Sequence, residues 1–220
     1  MPRVARALAD EQIYHIINRG NRRSNIFHDK HDFSKMLELL KFAIDKYEIE
    51  IYSYCLMSNH YHLVIYTKYG ESLSACMQWL GTSYVRYYNQ KYKVSGHLWQ
   101  GRYKSFIVQK DEYLLMLMKY VETNPLRAKI EKDAFLYTYS STKARVEKDK
   151  NSFITNPPID LPIDWLGFIN DKQSKLDIDM IHNSIERQAP LGNEVWQKEV
   201  SMLYGIESSL KPRGRPRKIK

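Results

Sequence analysis

Two segments rich in isoleucine, tyrosine, valine and leucine follow each other closely, residues 49–57 and residues 60–67. Such residues favour β-strands, and the short polar stretch Met57-Ser58-Asn59 between them is typical of a turn. The second segment begins with a His-Tyr-His sequence. Because side chains alternate between the two faces of a strand, His60 and His62 are predicted to point the same way and to share one metal ion. Two structural histidines would fit the same pattern, since the chain contains seven histidines.

A predicted helix at residues 111–124 carries a second group of polar residues. Asp111 is suited to cap its start, and Pro125 is expected to end it. Tyr120 and Asn124 then lie one turn apart on the same face. A phenol ionises near pH ~10, but beside a divalent cation it can attack a phosphodiester and keep the bond energy in a phosphotyrosine. The alternative is that Tyr120, one of 17 tyrosines, only packs the helix onto a sheet.

The predicted elements follow one another in the order strand, helix, strand, strand, helix, strand. They lie at residues 12–18, 32–47, 49–57, 60–67, 72–91 and 103–109. This is the order of a ferredoxin-like fold, so we predict the α+β class with an antiparallel sheet that presents the histidines on one face. After Pro125 the sequence is irregular and rich in proline, with short helices predicted at 174–187 and 194–203.

Positive charge is concentrated at the C-terminal end of the sequence. The net charge is +9, and residues 211–220 supply six positive charges with no acidic residue among them, which leaves +3 for the rest. The core Arg213-Gly214-Arg215-Pro216-Arg217 resembles an AT-hook, in which an extended Arg-Gly-Arg-Pro segment lies in a narrow A·T minor groove. A solvated basic tail, or a nonspecific binder of phosphates, remains the alternative.

Two further segments are candidates for holding nucleic acid. The turn at residues 18–23 contains a glycine and three arginines, which suits backbone phosphates, although exposed arginines are often simply solvated. The predicted helix at 83–93 interleaves tyrosines with basic residues, a pattern that stacks on single-stranded DNA. Tyr84 and Tyr88 share a face of that helix and fit the protein core equally well.

Other classes of protein are disfavoured by what the sequence lacks. Cys55 and Cys76 do not have the spacing of metal ligands, and they indicate neither a disulfide framework nor secretion. We find no signal peptide, no membrane span and no glycine-lysine loop for a nucleotide. A cytoplasmic, nucleoid-associated location is therefore expected, where chromosomal DNA would meet the protein.

Five motifs occur in the order found in one known family. They are Tyr14 to Arg22, Met57 to His62, Gly96 to Ser105, Tyr120 to Ala128 and Pro190 to Glu194, followed by the basic tail. With them the chain resembles the single-tyrosine HUH transposases, and within these the REP-associated tyrosine transposases, which are linked to repetitive extragenic palindromes in bacterial genomes. The resemblance covers most of the chain.

The resemblance implies a ferredoxin-like catalytic domain that cuts and joins single-stranded hairpin DNA through a covalent 5′-phosphotyrosine. The family's nucleophile corresponds to Tyr120 and its metal ligands, for Mg²⁺ or Mn²⁺, to His60, His62 and Asn124. The broader family usually has glutamine at position 124, and the shorter asparagine reaches less far. Tyr61 replaces an aliphatic residue but should face away from the metal.

Within this framework we predict three parts and a set of DNA contacts. The parts are a catalytic domain at 1–128, an irregular and helical extension at 129–204, and a basic AT-hook-like tail at 205–220. Membrane partners are not expected, and either a monomer or a homodimer agrees with the sequence. The expected DNA-binding residues are Asn18, Arg19, Arg22, Arg23, Arg86, Trp99, Arg102, Lys104, Arg127, Arg213, Arg215 and Arg217.

Two other functions agree with parts of the sequence. One is an inactive descendant of a transposase that regulates through DNA binding. The other is a zinc-dependent hydrolase that uses the histidine pair, which is disfavoured because no third histidine, cysteine or acidic ligand follows at short spacing.

Overall fold

The computed structural model describes residues 8–211 of the chain. Within that range four strands form one antiparallel sheet in the spatial order β2-β3-β1-β4. The strands are β1 (Gln12–Arg19), β2 (Ile49–Met57), β3 (His60–Thr67) and β4 (Lys104–Val108). Helices α1 (Lys30–Tyr47) and α2 (Gly70–Tyr92) follow β1 and β3 in sequence. The predicted α+β class and ferredoxin-like order are therefore confirmed.

Strand β1 lies inside the sheet and hydrogen-bonds to both β3 and β4. Its register with β3 places Ile17 opposite His62 and Arg19 opposite His60. One face of the sheet packs against α1 and α2, and Tyr61 is buried there, away from His60 and His62 as predicted. The opposite face packs against a third helix, α3 (Glu112–Glu122), and against parts of the C-terminal extension.

The tyrosines of α2 are held by protein contacts. Tyr84 is fully buried and donates a hydrogen bond to the Ile26 carbonyl oxygen at 2.7 Å. The Tyr88 hydroxyl and His28 Nε2 lie 2.9 Å apart. Tyr84 therefore belongs to the core, which was the alternative to a DNA-stacking role.

Helix α3 starts and ends near the predicted positions, for slightly different reasons. The Asp111 side chain accepts a hydrogen bond from Tyr113 N at 3.0 Å and caps the start, as predicted. The helix ends at Glu122, and Pro125 lies in the first turn of a new short helix, α4 (Asn124–Arg127). This agrees with the tolerance of a first helical turn for proline, which lacks a backbone N–H.

The extension after α4 is mostly short helices. They are α5 (Thr142–Val146), α6 (Trp165–Asn170), α7 (Lys175–Arg187) and α8 (Glu194–Leu203). The sequence predicts α7 and α8 to within one residue, whereas α5 and α6 have five and six residues and were not predicted. Short 3₁₀ turns lie at Asn21–Arg23, Ala134–Leu136 and Glu207–Ser209.

Backbone of the extension covers both edges of the sheet. Along the β2 edge, Leu56 N donates to the Tyr139 carbonyl at 2.9 Å and Thr155 N donates to the Ile51 carbonyl at 2.8 Å. Along the β4 edge, Leu191 N donates to the Ile107 carbonyl at 2.8 Å. These bonds satisfy edge groups that would otherwise be free to pair with another chain.

A buried carboxylate joins α3 to the extension. The Glu122 side chain has no solvent exposure. Five side chains direct hydrogen-bond donors at it: Ser141 at 2.6 Å, Trp165 at 2.8 Å, Ser53 at 3.1 Å, Thr142 at 3.2 Å and Arg145 at 3.4 Å. Since a buried carboxylate is stable only when it is paired and hydrogen-bonded, this network fixes α3 against β2, α5 and α6.

No helix in residues 8–211 is long and apolar enough to cross a membrane. The AT-hook-like residues Arg213, Arg215 and Arg217 lie outside the described residues.

Candidate active site

His60 and His62 stand at the start of β3, on the sheet face that packs against α3. Their ring centroids are 5.1 Å apart. The preceding turn is held by Gly20, whose N–H donates to the Asn59 carbonyl at 2.9 Å. Gly20 has no room for a side chain, because a Cβ atom there would lie 2.2 Å from the Ser24 carbonyl oxygen. Sequence and packing thus bring the two imidazoles together as the His-x-His spacing predicted.

The orientation of His60 is set by Asn59. Asn59 Nδ2 donates to the Arg23 carbonyl at 3.2 Å, so its Oδ1 faces His60 Nδ1 at 2.6 Å. An amide oxygen only accepts hydrogen bonds, so His60 Nδ1 carries the proton and Nε2 keeps its lone pair. The Asn124 side chain lies close to the same imidazole, where it opposes the lowering of the His60 pKa by burial. His60 and Asn124 are therefore in contact, as the predicted ligand set requires.

His62 has a partner that the sequence did not identify as part of the site. His15 Nε2 lies 2.8 Å from His62 Nδ1, and both rings are buried. The signal in the sequence was a histidine alternating with Ile13 and Ile17 on one face of an apolar strand. Which neighbour it meets depends on the β1–β3 register, which the local pattern does not reveal.

All three imidazoles are electrically neutral at neutral pH. Burial lowers the pKa of His60 to about 4 and that of His15 to about 3. Burial, together with the neighbouring His15, lowers the pKa of His62 well below its usual value. Neutral imidazole is the form that binds a metal, so the site is ready for one without losing protons from imidazolium.

Tyr120 is nearly buried on α3 and faces the histidines. Its ring centroid is 5.8 Å from that of His62 and 5.8 Å from that of His182 on α7. Burial raises the pKa of the Tyr120 phenol, while the positive charge of Arg127 opposes the rise. The tyrosine, both candidate histidine ligands and Asn124 therefore meet in one place within one chain.

Arg127, predicted as a DNA contact, packs on the Tyr120 ring. Its guanidinium carbon lies 3.8 Å from the ring centroid. Nη2 donates to the Tyr120 carbonyl at 2.5 Å and Nη1 to Thr123 Oγ1 at 2.7 Å. A cation held in this position favours negative charge on the phenol oxygen. Sequence reasoning missed this contact, because it depends on how α4 turns back after Thr123.

The donor set can be compared with the needs of different metals. Within residues 8–211, no group of three histidine, cysteine, aspartate or glutamate side chains is arranged to hold a metal ion. A closed zinc site of the usual ligand types is therefore not formed in this part of the chain. Two imidazoles and one amide give a mixed nitrogen and oxygen set of three donors, so an octahedral ion held here would take its remaining ligands from water or phosphate oxygens.

Several predicted DNA-binding residues surround a cleft beside the histidines. A cavity of about 310 Å³ is lined by Asn18, Arg19, Gln100, Gly101, Arg102, Lys104, Ile17 and Ile185. A second cavity of about 350 Å³ shares Asn18 and Arg102 and includes Trp99. Trp99 is half-buried, and its Nε1 donates to the Gly81 carbonyl at 3.1 Å. The structure thus gathers Asn18, Arg19, Trp99, Arg102 and Lys104 into one region.

Three other predicted DNA-binding residues, Arg22, Arg23 and Arg86, do not line this cleft. Arg22 and Arg23 are exposed on the turn after Gly20, with φ angles of 52° and 61°. Arg86 is exposed on α2.

Comparison with solved structures gives a fold match. A REP-associated tyrosine transposase bound to a REP hairpin aligns with a TM-score of 0.53 at 15% identity, covering 73% of this chain and 95% of that one. A provisionally assigned transposase from Deinococcus radiodurans R1 aligns with a TM-score of 0.39 at 16% identity, covering 56% of this chain and 97% of that one. No curated protein sequence matches significantly.

The family comparison covers the region in which the site lies. The sequence profile of the IS200-like transposases matches residues 9–124, more than half of the chain. The match spans the whole sheet and extends to Asn124, so it includes His60, His62 and Tyr120. The chain belongs to the IS200-like transposase family.

Proposed function

We propose that this transposase is a metal-dependent endonuclease and strand transferase of the REP-associated type, acting on single-stranded hairpin DNA. The observation that supports this most strongly is the contact between Tyr120 and His62, whose ring centroids are 5.8 Å apart within one chain. A tyrosine that only packed a helix onto the sheet would not need a neutral imidazole and a guanidinium against its ring.

Tyr120 acts as the nucleophile in this proposal. Its phenol oxygen forms a bond to the scissile phosphorus, and the bond from phosphorus to the 3′ oxygen breaks. The phenol proton passes to solvent, and the departing 3′ oxygen takes up a proton to become a hydroxyl. The 5′ phosphate stays on Tyr120, and attack by another 3′ hydroxyl reverses the step and joins a new strand. Arg127, in contact with the ring, stabilises the phenolate both as nucleophile and as leaving group.

His60, His62 and Asn124 are the residues that would hold Mg²⁺ or Mn²⁺. When bound, the ion would polarise a phosphate oxygen and make phosphorus more open to attack. Asn59 holds His60 with its Nε2 lone pair free, and Asn124 lies against the same ring. His60 and Asn124 are therefore held in place before any substrate arrives.

Tyr120 acts on a phosphate bound by its own chain in this proposal. Its helix is fastened through Glu122 to β2, α5 and α6 of the same chain. If α3 were exchanged with the same helix of a second copy, Glu122 would have to give up its hydrogen bonds to Ser53, Ser141 and Trp165 of its own chain. The geometry therefore supports a monomer as the active unit.

The substrate class rests on charge and on the fold match. Arg19, Arg102 and Lys104 line the cleft beside the histidines, where they would meet phosphates of a single strand. The aligned transposase binds a REP hairpin, and we propose hairpin DNA for this chain as well. A labelled hairpin oligonucleotide with a single-stranded flank is the substrate for the tests that follow.

The metal role is tested by removing its ligands. We expect His60→Ala and His62→Ala each to abolish Mn²⁺- or Mg²⁺-dependent cleavage of the labelled hairpin but to leave DNA binding intact, because the ion orients the phosphate and does not carry the affinity. Asn124→Ala should do milder damage, since water can replace one neutral oxygen ligand. His31→Ala, at an exposed histidine, is the control. Undiminished cleavage in excess chelator would reject the metal role.

The basic tail is tested by truncation. Removing residues 211–220 takes away six of the nine net positive charges, so affinity for DNA should fall and its dependence on salt should become shallower. Cleavage at saturating protein should stay close to that of the full chain. For an AT-hook, Arg215→Ala should weaken binding to A·T-rich duplex more than to G·C-rich duplex. Equal losses would indicate a nonspecific tether.

A further inference from the structure

The His15 imidazole is buried, and its hydrogen-bond partner is His62. The planes of the His15 and His62 rings differ by only 6°. His15 is 0% exposed to solvent and His62 is 2% exposed. His15 and Phe106 make an edge-to-face contact, with ring centroids 4.9 Å apart. His15 Nδ1 is buried, and no residue in the described part of the chain hydrogen-bonds it. The only polar contact of this ring is therefore the 2.8 Å bond to His62 Nδ1, among the contacts the described residues make.

A hydrogen bond between two neutral imidazoles has two possible directions. In the first, His15 Nε2–H donates to His62 Nδ1, and the proton of His62 is then on Nε2. In the second, His62 Nδ1–H donates to His15 Nε2, and His62 Nε2 keeps a lone pair. Because His62 Nδ1 is occupied by His15 in both cases, the remaining donor atom for a metal is Nε2. Only the second direction makes it available.

We propose that His15 is a positioning residue for His62, and that metal loading reverses the hydrogen bond between them. The inference rests on the proposed metal role of His62. Without metal, the first direction is favoured, because the second leaves an N–H on His15 Nδ1, and a buried donor without a partner is rare in proteins. With metal, ligation of His62 Nε2 stabilises the second direction and offsets that cost.

The reversal conserves protons. One proton leaves His62 Nε2 for solvent, one crosses from His15 Nε2 to His62 Nδ1, and one is taken up by His15 Nδ1. Each ring stays neutral, so loading changes the positions of protons and not their number.

The two histidine ligands therefore differ in how they are prepared. Asn59 accepts a hydrogen bond from His60 and fixes its proton on Nδ1 whether or not metal is present. His15 Nε2 can either donate or accept the hydrogen bond to His62 Nδ1. It can therefore hold the His62 ring in place with the His62 proton on either nitrogen, and metal binding decides which nitrogen carries it. Affinity for the ion is thus set partly by a residue that does not touch it.

The proton positions are measured directly on the full-length protein. Selective ¹⁵N labelling of histidine distinguishes protonated from unprotonated ring nitrogens by NMR. Without metal we expect the His15 proton on Nε2; after addition of Zn²⁺, as a diamagnetic probe, we expect it on Nδ1, with His62 also protonated on Nδ1. A His15 ring that keeps its proton on Nε2 while Zn²⁺ is bound to His62 would overturn the inference. This measurement needs no variant and so does not depend on a variant folding.

Two variants separate positioning from simple filling of space. His15→Phe keeps a ring but cannot accept a hydrogen bond, whereas His15→Gln supplies an amide oxygen that can. We expect His15→Phe to weaken Mn²⁺ binding, measured by EPR titration, about 10- to 100-fold, and His15→Gln to restore most of the loss. His31→Phe, at an exposed site, controls for loss of a histidine.

The outcomes distinguish this inference from the proposed function. If His15→Phe binds Mn²⁺ as tightly as the parent while His62→Ala does not, the role of His15 is wrong and the metal site stands. If His62→Ala also binds Mn²⁺ like the parent, the metal role of His62 fails, and the inference fails with it.

Discussion

Replacing Tyr120 by phenylalanine is expected to eliminate the denaturant-resistant adduct between protein and DNA. Only a hydroxyl is lost, and the ring can keep its contacts with His62 and the Arg127 guanidinium. The free energy of unfolding should therefore change by no more than about 1 kcal/mol, and hairpin binding should stay near that of the parent. Adduct formation is measured by denaturing gel electrophoresis with a labelled hairpin oligonucleotide.

The matched control is Tyr113→Phe, which removes the same hydroxyl two turns earlier on the same helix. It should form the adduct at the parental rate. If Tyr120→Phe still forms an adduct, and peptide mapping finds the phosphate on Tyr113, then the nucleophile has been assigned to the wrong residue. If the parent binds the hairpin but forms no adduct, the proposed nuclease activity is wrong, and the alternative of a DNA-binding regulator becomes the better explanation.

The second large effect is expected on stability. Glu122→Ala should lower the free energy of unfolding by about 3–5 kcal/mol, because it leaves the nearly buried Arg145 guanidinium without its carboxylate and removes acceptors from Ser141 and Trp165. Urea unfolding monitored by circular dichroism measures the change. The adduct should be lost as well, since Tyr120 lies two residues away on the helix that Glu122 anchors.

Two companion variants make the Glu122 test specific. Glu122→Gln keeps the size and one oxygen acceptor but not the charge, so we expect a smaller loss of stability than for alanine. Glu112→Ala removes an exposed carboxylate from the first turn of the same helix, where the interaction with the helix dipole is worth only about 0.3–1 kcal/mol. Parental stability in Glu122→Ala would show that the extension is held to α3 by other contacts.

Much of the catalytic fold could be predicted from local pattern. The strand pair ending in Met57 and starting at His60 has the predicted bounds, because β-branched and aromatic residues fill both strands and the turn is short. Helix α3 is capped by Asp111 as expected. Helices α5 and α6 could not be predicted, since segments of five or six residues are too short to show a helical period and are held by tertiary contacts.

Only those parts of the candidate site that depend on the spacing of residues along one strand or one helix could be predicted from the sequence. The pairing of His60 with His62 follows from the alternation of side chains along a strand. Asn124 lies close to His60, as expected for a residue about one helical turn after Tyr120. The contacts of His15 depend on strand register, and those of Arg127 on the turn between two helices. Such contacts join residues that are distant in sequence or separated by an irregular turn, so no local period encodes them.

Closure of the sheet edges by the extension has a consequence for biosynthesis. The β4 edge is covered by Leu191, which leaves the ribosome about 80 residues after β4 itself; at 5–20 residues per second this delay is roughly 4–16 s. During that interval a nascent chain exposes sheet edges that can recruit other strands, and chaperones that bind such edges should raise the yield. A shortened gene that encodes only the family-matched region would leave both edges open permanently, and its product should accumulate as insoluble material.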